Sequence, residues 1–263
     1  MSLYRLDRIE YVQAAIESLE AQTLRGDLFV QCDGPIDPHV REYLEELHAS
    51  GIIVHLGTRS DNLGLAYSLN ELLEIVLARG YDVIARMDAD DLSLPKRFEK
   101  QVAFLEAHPD VDVVGGAIEE FGEEIAYRKI VRYPLEHNAM RAFFAKRVPL
   151  PHPTAMFRAR FFEKAGHYPI QSLTNEDTLM WMEGFAHGCR FANLPDVLVR
   201  MRVSPDFFGR RGGFSKAWND FKDRLRVIRT LGYNITAYGY AVAVLGVNLA
   251  PPWLKKILYS RLR

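Results

Sequence analysis

The chain has 263 residues, 48% of them hydrophobic and 25% charged, so one large α/β domain or one domain with an appended segment is expected. The formal net charge of -1 at pH 7 argues against a protein that coats nucleic-acid phosphates with basic side chains. Neither Cys32 nor Cys189 belongs to a CxxC pair, and no signal peptide opens the chain, so we expect a reducing, cytoplasmic setting without a zinc site.

The charges are unevenly distributed along the chain. Residues 1–206 carry 22 basic and 32 acidic side chains, whereas residues 207–263 carry 11 basic and 2 acidic ones. This basic tail indicates an anionic partner for the C-terminal segment. The longest apolar run, 237–250, is shorter than the roughly 20 residues that span a bilayer, so we interpret it as a packed helix.

Helical and strand patterns alternate along the N-terminal half. Helices are predicted over residues 8–23, 37–50, 64–80 and 94–109, and strands over residues 27–33, 51–57, 81–88 and 111–116. This order predicts an α/β fold with a Rossmann-like, mainly parallel sheet flanked by helices, which collects ligands at the carboxyl ends of its strands. After residue 120 the pattern is less regular until a helix over 175–188, whose first turn contains Glu176 and Asp177.

Three carboxylates crowd four positions at the end of a predicted strand: Asp88, Asp90 and Asp91. Asp33 ends another predicted strand, so we expect it to face the same crevice as Asp88. Carboxylates at positions i and i+2 can reach one Mg²⁺ or Mn²⁺ ion, which would offset their repulsion and stabilise charge on a phosphate leaving group. A solvated aspartate-rich turn is the alternative that these residues alone leave open.

Two other acidic motifs fit less well. An EF-hand loop starting at Asp88 would have Leu92 at an acidic position, Ser93 at the glycine position and Pro95 inside the loop. A phosphatase that uses a DxDx(T/V) nucleophile would need Thr or Val where Leu92 stands. Both motifs are therefore disfavoured.

Seven segments together carry a resemblance to a known family. In chain order they are "AIESLEAQTL", "LFVQCDGPI", "NLGLAYSLN", "YDVIARMDADDLSLPKRFEKQVAFLE", "HPTAMFRARFFEKAGHY", "NEDTLMWME" and "LPDVLVRMRV". Their order and spacing over residues 3–205 resemble family 2 glycosyltransferases with the GT-A fold. The tail is similar to that of bacterial members that build capsular or extracellular polysaccharide and O-antigen. The resemblance implies a GT-A nucleotide-sugar-binding and catalytic domain over 1–205 and a basic helical C-terminal extension over 206–263.

The resemblance implies that several N-terminal residues bind the donor nucleotide. Asp33 matches the aspartate that accepts a hydrogen bond from the base, usually the N3–H of uracil, and Tyr4 matches an aromatic position beside the base. Asn62 and Gly64 match the glycine-containing loop before a helix. Arg86 is expected to contact the ribose or the phosphates, with a surface ion pair as the alternative.

The resemblance also implies the metal-binding and catalytic residues. Asp88 and Asp90 match the DxD pair that holds a Mn²⁺ or Mg²⁺ ion, with Asp88 mainly on the ribose, Asp90 on the metal and Asp91 supporting either. Asp177 matches the catalytic base of the "ED" motif, which takes a proton from the acceptor hydroxyl. Glu176 is expected to be a structural or acceptor-binding neighbour.

Three positions make the resemblance incomplete or ambiguous. Ser204 stands where many members have a histidine metal ligand in an Arg-x-His arrangement, so the third ligand is open, with Asp206 conceivable. Relatives begin with an apolar first strand, whereas this sequence enters at "MSLYRLDR", so the strand is very short or the sequence lacks its beginning. His152 matches a position near the acceptor or the phosphates, with a buried, hydrogen-bonded histidine as the alternative.

The basic tail offers two further hypotheses. Arg210 and Arg211, beside two glycines, have a composition that can cradle a diphosphate of the donor or of a lipid-linked acceptor. Residues 251–263 read as a basic amphipathic helix that lies on an anionic membrane or packs against the domain.

The resemblance and these residues together predict an inverting, metal-dependent glycosyltransferase. It would move a sugar from a nucleoside diphosphate, expected to be UDP, to a hydroxyl of a saccharide acceptor, which can be lipid-linked. The expected location is the cytoplasm or the inner face of the membrane, with no nucleic-acid partner. A non-catalytic nucleotide-sugar-binding protein and a metal-dependent phosphatase or nucleotidyltransferase are the alternatives.

Overall fold

Two β-sheets organise the residues that the computed structural model describes, which are 1–122, 129–171, 175–203 and 214–249. The first sheet contains β1 (Ser2–Leu3), β2 (Leu28–Cys32) and β3 (Ile53–Thr58), paired in chain order. The second contains β4 (Val83–Ala85), β5 (Leu92–Ser93), β6 (Val113–Phe121), β7 (Lys129–Val131), β8 (Met156–Arg158) and β9 (Phe191–Arg202). Its order is β4-β8-β6-β9-β5, and β7 pairs with β6.

Helices flank these sheets. They are α1 (Ile9–Glu20), α2 (Pro38–Ala49), α3 (Leu65–Ala78), α4 (Arg97–Ala107), α5 (His137–Phe144), α6 (Ala159–Ala165), α7 (Glu176–Ala186), α8 (Phe214–Leu231) and α9 (Ile235–Leu249). The helices predicted over residues 8–23, 37–50, 64–80, 94–109 and 175–188 are confirmed as α1 to α4 and α7. The apolar run that was predicted as a packed helix lies in α9, where Ala237 and Ala241 are the buried residues. Within the described ranges, no helix combines the length and the apolar character needed to cross a bilayer.

The predicted parallel pairing is found in the first sheet and between β6 and β9. The second sheet also contains antiparallel pairs, which join β8 to β4 and β6, β5 to β9, and β7 to β6. These pairs were not predicted because β5, β7 and β8 have only two or three residues each, too few to show a strand periodicity. The α/β sheet-and-helix architecture itself is as expected.

A buried polar side chain supports the loop that carries the acidic cluster. Arg97, at the start of α4, is 1% exposed, and its guanidinium donates to the Arg86 carbonyl at 2.7 Å and to Gln101 Oε1 at 3.0 Å. Gln101 in turn donates to the Val114 carbonyl at 2.9 Å and the Thr154 carbonyl at 2.8 Å. Burial, and then the nearby Arg86, lower the pKa of Arg97 to about 9. This hydrogen-bond network links α4 to β6 and to the chain after β4.

Aromatic packing anchors α7. Trp181 is fully buried, and its ring lies 5.7 Å from that of Phe157 and 6.0 Å from that of Phe191. Asp177 precedes Trp181 by one helical turn. The packed half of the helix therefore fixes the position of its polar first turn.

Candidate active site

A cleft of about 1680 Å³ opens where the strands of the first sheet and β4 end. Asp33 follows β2, Asp88 and Asp90 follow β4, and all three line this cleft. The strand-end argument predicted this shared crevice for Asp33 and Asp88. Asp177, from the first turn of α7, lines it as well. Carboxylates from three separate parts of the chain thus meet at one site.

Asp33 is held by a set of donors around its buried carboxylate. Its Oδ1 accepts from the Leu63 N–H at 2.8 Å and from Arg59 Nη2 at 2.7 Å, and its Oδ2 accepts from the Gly64 N–H at 2.9 Å. The Asn62 amide donates to the Asp33 carbonyl at 3.1 Å. The predicted residues Asn62 and Gly64 therefore surround Asp33 and line the same cleft. Arg59 was not predicted, because an arginine after a strand carries no distinctive sequence signal.

Gly34 makes the close approach of these loops possible. Its φ is +81°, and a Cβ at this position would lie 2.8 Å from the Asn62 backbone nitrogen. A side chain here would meet both backbone strain and a clash with the loop. The Asp-Gly-Pro sequence after β2 thus brings Asp33 against the 62–64 loop.

Arg86 lies behind the acidic cluster rather than in the cleft. It is 5% exposed, its guanidinium donates to the Asp88 carboxylate and the Met87 carbonyl, and it lines a separate cavity of about 430 Å³. Burial lowers its pKa, but Asp88, Tyr168 and Glu176 together outweigh burial, so the pKa of Arg86 is raised overall. In this position Arg86 orients Asp88, and the ion pair considered from the sequence joins a buried guanidinium to a partly exposed carboxylate.

Asp91 turns away from solvent and holds the end of β9. It is 2% exposed and accepts from the Arg202 N–H at 2.7 Å, while Arg202 Nε donates to the Asp90 carbonyl at 2.9 Å. Burial, and then Asp88 and Asp90, raise the pKa of Asp91 well above its usual range. The Arg202 guanidinium also lies 3.9 Å from the centre of the Tyr11 ring. Arg202 and Tyr11 are site residues that the sequence did not reveal.

Asp88 and Asp90 are the side chains suited to a divalent cation. Both carboxylates line the cleft, and hard cations such as Mn²⁺ and Mg²⁺ prefer oxygen ligands. Among the described residues, no group of three His, Cys, Asp or Glu side chains forms a metal cage. The donor set therefore fits a cation that completes its coordination with substrate oxygens and water. Ser204 and Asp206, considered as further ligands, lie outside the described residues.

The two acids of the "ED" motif have different environments. Asp177 lines the cleft, and its Oδ1 accepts from the Thr178 N–H at 2.6 Å, so the first turn of α7 orients it. Glu176 is not among the residues that line the cleft. Burial, and then the neighbouring Asp177, raise the pKa of Glu176 to about 7.

Asn175 connects this motif to α8. Its side-chain nitrogen donates to Asp220 Oδ1 and to Asp223 Oδ2, each at 2.9 Å. Both aspartates lie on α8, which packs against α7. The helix after residue 213 therefore contributes directly to the position of Asp177.

His152 is a buried, hydrogen-bonded histidine at the wall of the cleft. Its Nε2 lies 2.9 Å from the Tyr168 hydroxyl, and the side chain is 8% exposed. Burial, and then Arg86, lower the pKa of His152 well below its usual range, so the imidazole is neutral. The structure shows the buried, hydrogen-bonded histidine, and its role near the acceptor or the phosphates stays a prediction.

Tyr4 lines the cleft together with Asp33, and its place beside the nucleotide base stays a prediction. Its backbone N–H donates to Asp7 Oδ2 at 2.7 Å. The predicted phosphate-binding pair, Arg210 and Arg211, and the predicted amphipathic segment 251–263 lie outside the described residues.

Comparison with solved structures defines the class. S. aureus TarS 1-349 in complex with UDP-GlcNAc matches with a TM-score of 0.62 and 14% identity over 96% of this chain and 81% of that chain. The mannosyltransferase PcManGT from Pyrobaculum calidifontis, in complex with GDP-Man and Mn²⁺, matches with a TM-score of 0.63 and 16% identity over 99% of this chain and 78% of that chain. The chain spans 49% of a longer TarS chain. The architecture is that of the GT-A glycosyltransferases.

Sequence comparison then gives the family. The family model described as Glycosyl transferase family 2 matches residues 6–166. The amylovoran biosynthesis glycosyltransferase AmsE of Erwinia amylovora is 34% identical, over 87% of this chain and 83% of its own length. An uncharacterized glycosyltransferase of Haemophilus influenzae is 36% identical over 99% and 96%, and an Escherichia coli UDP-Gal:alpha-D-GlcNAc-diphosphoundecaprenol beta-1,3-galactosyltransferase is 26% identical over 87% and 82%. This chain belongs to glycosyltransferase family 2, as the resemblance predicted.

Proposed function

We propose that this glycosyltransferase is an inverting enzyme of bacterial polysaccharide synthesis, which moves a sugar from a UDP donor to a hydroxyl of a saccharide acceptor. The observation that carries the proposal is the meeting of Asp33, Asp88, Asp90 and Asp177 in one cleft of about 1680 Å³. Pockets for single drug-sized ligands are typically about 300–1,000 Å³, so this cleft has room for a donor and an acceptor together.

The donor assignment is supported by the chemistry of Asp33 and by the relatives. An imide N–H such as that of uracil needs an acceptor, and Asp33 Oδ2 accepts one hydrogen bond, from Gly64, among the described contacts. TarS is solved with UDP-GlcNAc, and the name of the E. coli relative specifies UDP-Gal. PcManGT, with GDP-Man, shows that the fold alone does not choose the base.

Asp177 is the proposed catalytic base. Its carboxylate takes the proton of the acceptor hydroxyl as that oxygen attacks the anomeric carbon, and the bond from this carbon to the diphosphate oxygen breaks with its electron pair on the diphosphate. Attack opposite the leaving group inverts the anomeric centre. Asp177 is preferred over Glu176 because only Asp177 is among the residues that line the cleft.

Asp88 and Asp90 are the residues that would hold a Mn²⁺ or Mg²⁺ ion in this enzyme. Such a cation, when bound, neutralises charge that develops on the leaving diphosphate. Arg86 keeps the Asp88 carboxylate aimed along the cleft wall, and the Arg202 side chain fixes the Asp90 backbone. The Mn²⁺ in the PcManGT complex supports this assignment.

Basic side chains in the cleft support a lipid-linked acceptor. Lys129, Arg132 and Arg147 line the cleft and can attract an anionic acceptor. The named acceptor of the E. coli relative is a diphosphoundecaprenol-linked sugar. Arg210 and Arg211 are retained as candidate diphosphate ligands, and the expected location is the cytoplasmic face of the membrane.

Asp177→Asn tests the mechanism, with Glu176→Gln as the matched control on the preceding residue. We expect Asp177→Asn to bind the donor in calorimetry but to lose about 10²–10⁴-fold in turnover, the usual contribution of a positioned base. Glu176→Gln should retain most of its turnover. Unchanged turnover in Asp177→Asn would remove this residue from the mechanism, and phosphate or nucleotidyl products in mass spectrometry would overturn the glycosyl-transfer assignment.

A thermal-shift screen tests the donor and the cation. UDP-sugars, GDP-sugars and dTDP-sugars are compared with and without Mn²⁺, in the wild type and in Asp33→Asn. We expect the largest rise in Tm with a UDP-sugar plus Mn²⁺, and a smaller one in Asp33→Asn. A rise in Tm with a nucleotide sugar that is the same with and without Mn²⁺ would contradict the role of Asp90 as a metal ligand.

A further inference from the structure

The helix α9 presents an apolar surface to solvent. Its fifteen residues, Ile235–Leu249, include no acidic, basic or histidine side chain. Ala237 and Ala241 are its buried residues and pack near Ile228 of α8. Ile235, Val242 and Leu249 are 80%, 59% and 45% exposed.

These three exposed residues lie along one side of the helix. They are seven residues apart, which is close to two helical turns, so their side chains form a row that extends about 20 Å along the helix. Exposed apolar side chains scattered singly are ordinary, but an aligned stripe without charges marks a surface for a partner.

The helix α8 adds aromatic and basic side chains. Phe214 and Trp218, one turn apart at its start, are 69% and 44% exposed, and their rings lie parallel with centroids 6.4 Å apart. Three basic residues lie on the same side of the helix as Trp218, and all three are exposed: Lys222, Arg226 and Arg229. Arg226 also reaches Glu183 Oε1 at 3.5 Å, so Lys222 and Arg229 are the better test residues.

Helix α8 also contacts the catalytic motif, on its opposite side. Asp220 lies two residues from both Trp218 and Lys222, about 200° around the helix from Trp218, and accepts from the Asn175 side chain at 2.9 Å. Asn175 directly precedes Glu176 and Asp177, and Asp177 lines the cleft. The helix α8 therefore carries the exposed surface on one side and supports the catalytic motif on the other.

We propose that α8 and α9 form a docking surface for an anionic lipid bilayer. An apolar stripe inserts into the acyl boundary, Trp218 lies at the level of the headgroups, and Lys222, Arg226 and Arg229 attract anionic lipid. A symmetric contact between two copies fits less well, because it would place the same basic side chains of both copies near each other. The surface would hold the enzyme at the membrane that carries a lipid-linked acceptor.

Vesicle flotation tests this surface without nucleotide or sugar, so its result is independent of the proposed transfer reaction. The full chain is mixed with vesicles of phosphatidylcholine alone, or with a third of the lipid replaced by phosphatidylglycerol, at low and high salt. We expect flotation with the anionic vesicles and less of it at high salt. Absence of flotation with both compositions would overturn the proposal.

The variants separate the apolar and the basic contributions. Ile235→Glu with Val242→Glu should lower the vesicle partition coefficient about tenfold or more, and Lys222→Glu with Arg229→Glu should abolish the preference for phosphatidylglycerol. Leu135→Glu, at a leucine that is 41% exposed away from these helices, is the matched control and should bind like the wild type. Equal binding by all variants would overturn the proposal.

Two measurements locate Trp218 relative to the bilayer and distinguish the bilayer from a second copy of the chain. Quenching of tryptophan fluorescence by brominated lipid should decrease in Trp218→Phe, a mild change that leaves the fold intact; unchanged quenching would place Trp218 away from the bilayer. Light scattering reports the oligomeric state, and a wild-type dimer that Val242→Glu dissociates would assign the surface to a second copy instead. Activity on a soluble acceptor should be unchanged in the Lys222→Glu, Arg229→Glu variant.

Discussion

Asn70 and Tyr168, 98 residues apart in the chain, exchange two hydrogen bonds. The Asn70 side-chain nitrogen donates to the Tyr168 carbonyl at 2.9 Å, and the Tyr168 N–H donates to Asn70 Oδ1 at 2.8 Å. The Tyr168 hydroxyl in turn lies 2.9 Å from His152 Nε2 in the cleft wall. Asn70 therefore links α3 to the part of the cleft wall that contains His152.

Asn70→Ala should destabilise the protein and loosen this wall. Loss of two hydrogen bonds to buried backbone groups costs about 2–4 kcal/mol, which a denaturant titration will report. Because Tyr168 supports His152, KM for the acceptor should rise more than KM for the donor. The control is Glu74→Ala, one turn further along α3, at an exposed residue that pairs with His167. It should change the free energy of unfolding and the KM values little. Equal rises in both KM values would contradict a role confined to this wall.

Arg59→Ala should weaken nucleotide binding through Asp33. The side chains of Asp33 and Arg59 are 4% and 12% exposed, and removal of one partner from a buried pair costs about 3–5 kcal/mol. Calorimetry with UDP should show a large loss of affinity together with a lower Tm. Glu71→Gln is the matched control, because Glu71 pairs with the same guanidinium at 3.0 Å but is 46% exposed. Wild-type affinity in Arg59→Ala would mean that Asp33 does not need this partner.

The acids of the site could be predicted from the sequence, whereas the side chains that hold them could not. Asp33 and Asp88 follow apolar runs, and the carboxyl ends of strands are where α/β folds bind ligands. Arg59 donates to Asp33 from 26 residues away and Arg202 to Asp91 from 111 residues away, and a single arginine has no local pattern that reports such a contact. Arg86 stands two residues before Asp88, yet only the packing shows that it faces away from the cleft.

The fold, too, could be predicted only in part from the sequence. The long amphipathic helices α1 to α4 were predictable because an apolar stripe must be buried against a sheet. The strands β5 and β8 were not, since each becomes a strand only by pairing with β9 or with β4 and β6. The burial of Trp181, which fixes α7, is likewise a tertiary effect.

Asp90→Asn should separate cation binding from stability. The substitution removes a carboxylate that would hold Mn²⁺, so the Mn²⁺-dependent rise in Tm with a UDP-sugar should disappear. Without Mn²⁺, Tm should increase slightly, because Asp88 and Asp91 no longer face a third like charge. Asp91→Ala is the contrasting variant: it removes the acceptor for the Arg202 N–H and should lower Tm with or without Mn²⁺. If Asp90→Asn keeps the Mn²⁺-dependent rise in Tm, Asp90 is not a metal ligand.

Glu176 should make stability depend on pH between about 4.5 and 7. Burial, and then Asp177, raise its pKa from 4.5 to about 7, so between these values the folded protein binds a proton that the unfolded chain has released. Stability linked to this group is therefore fully present below pH 4.5 and is lost as pH rises towards 7. Glu176→Gln removes the loss, which is at most about 3 kcal/mol, so its Tm should exceed that of the wild type at pH 8 and approach it at pH 4.5. Thermal unfolding at both pH values measures this, and a constant difference in Tm would show that Glu176 does not titrate in this range.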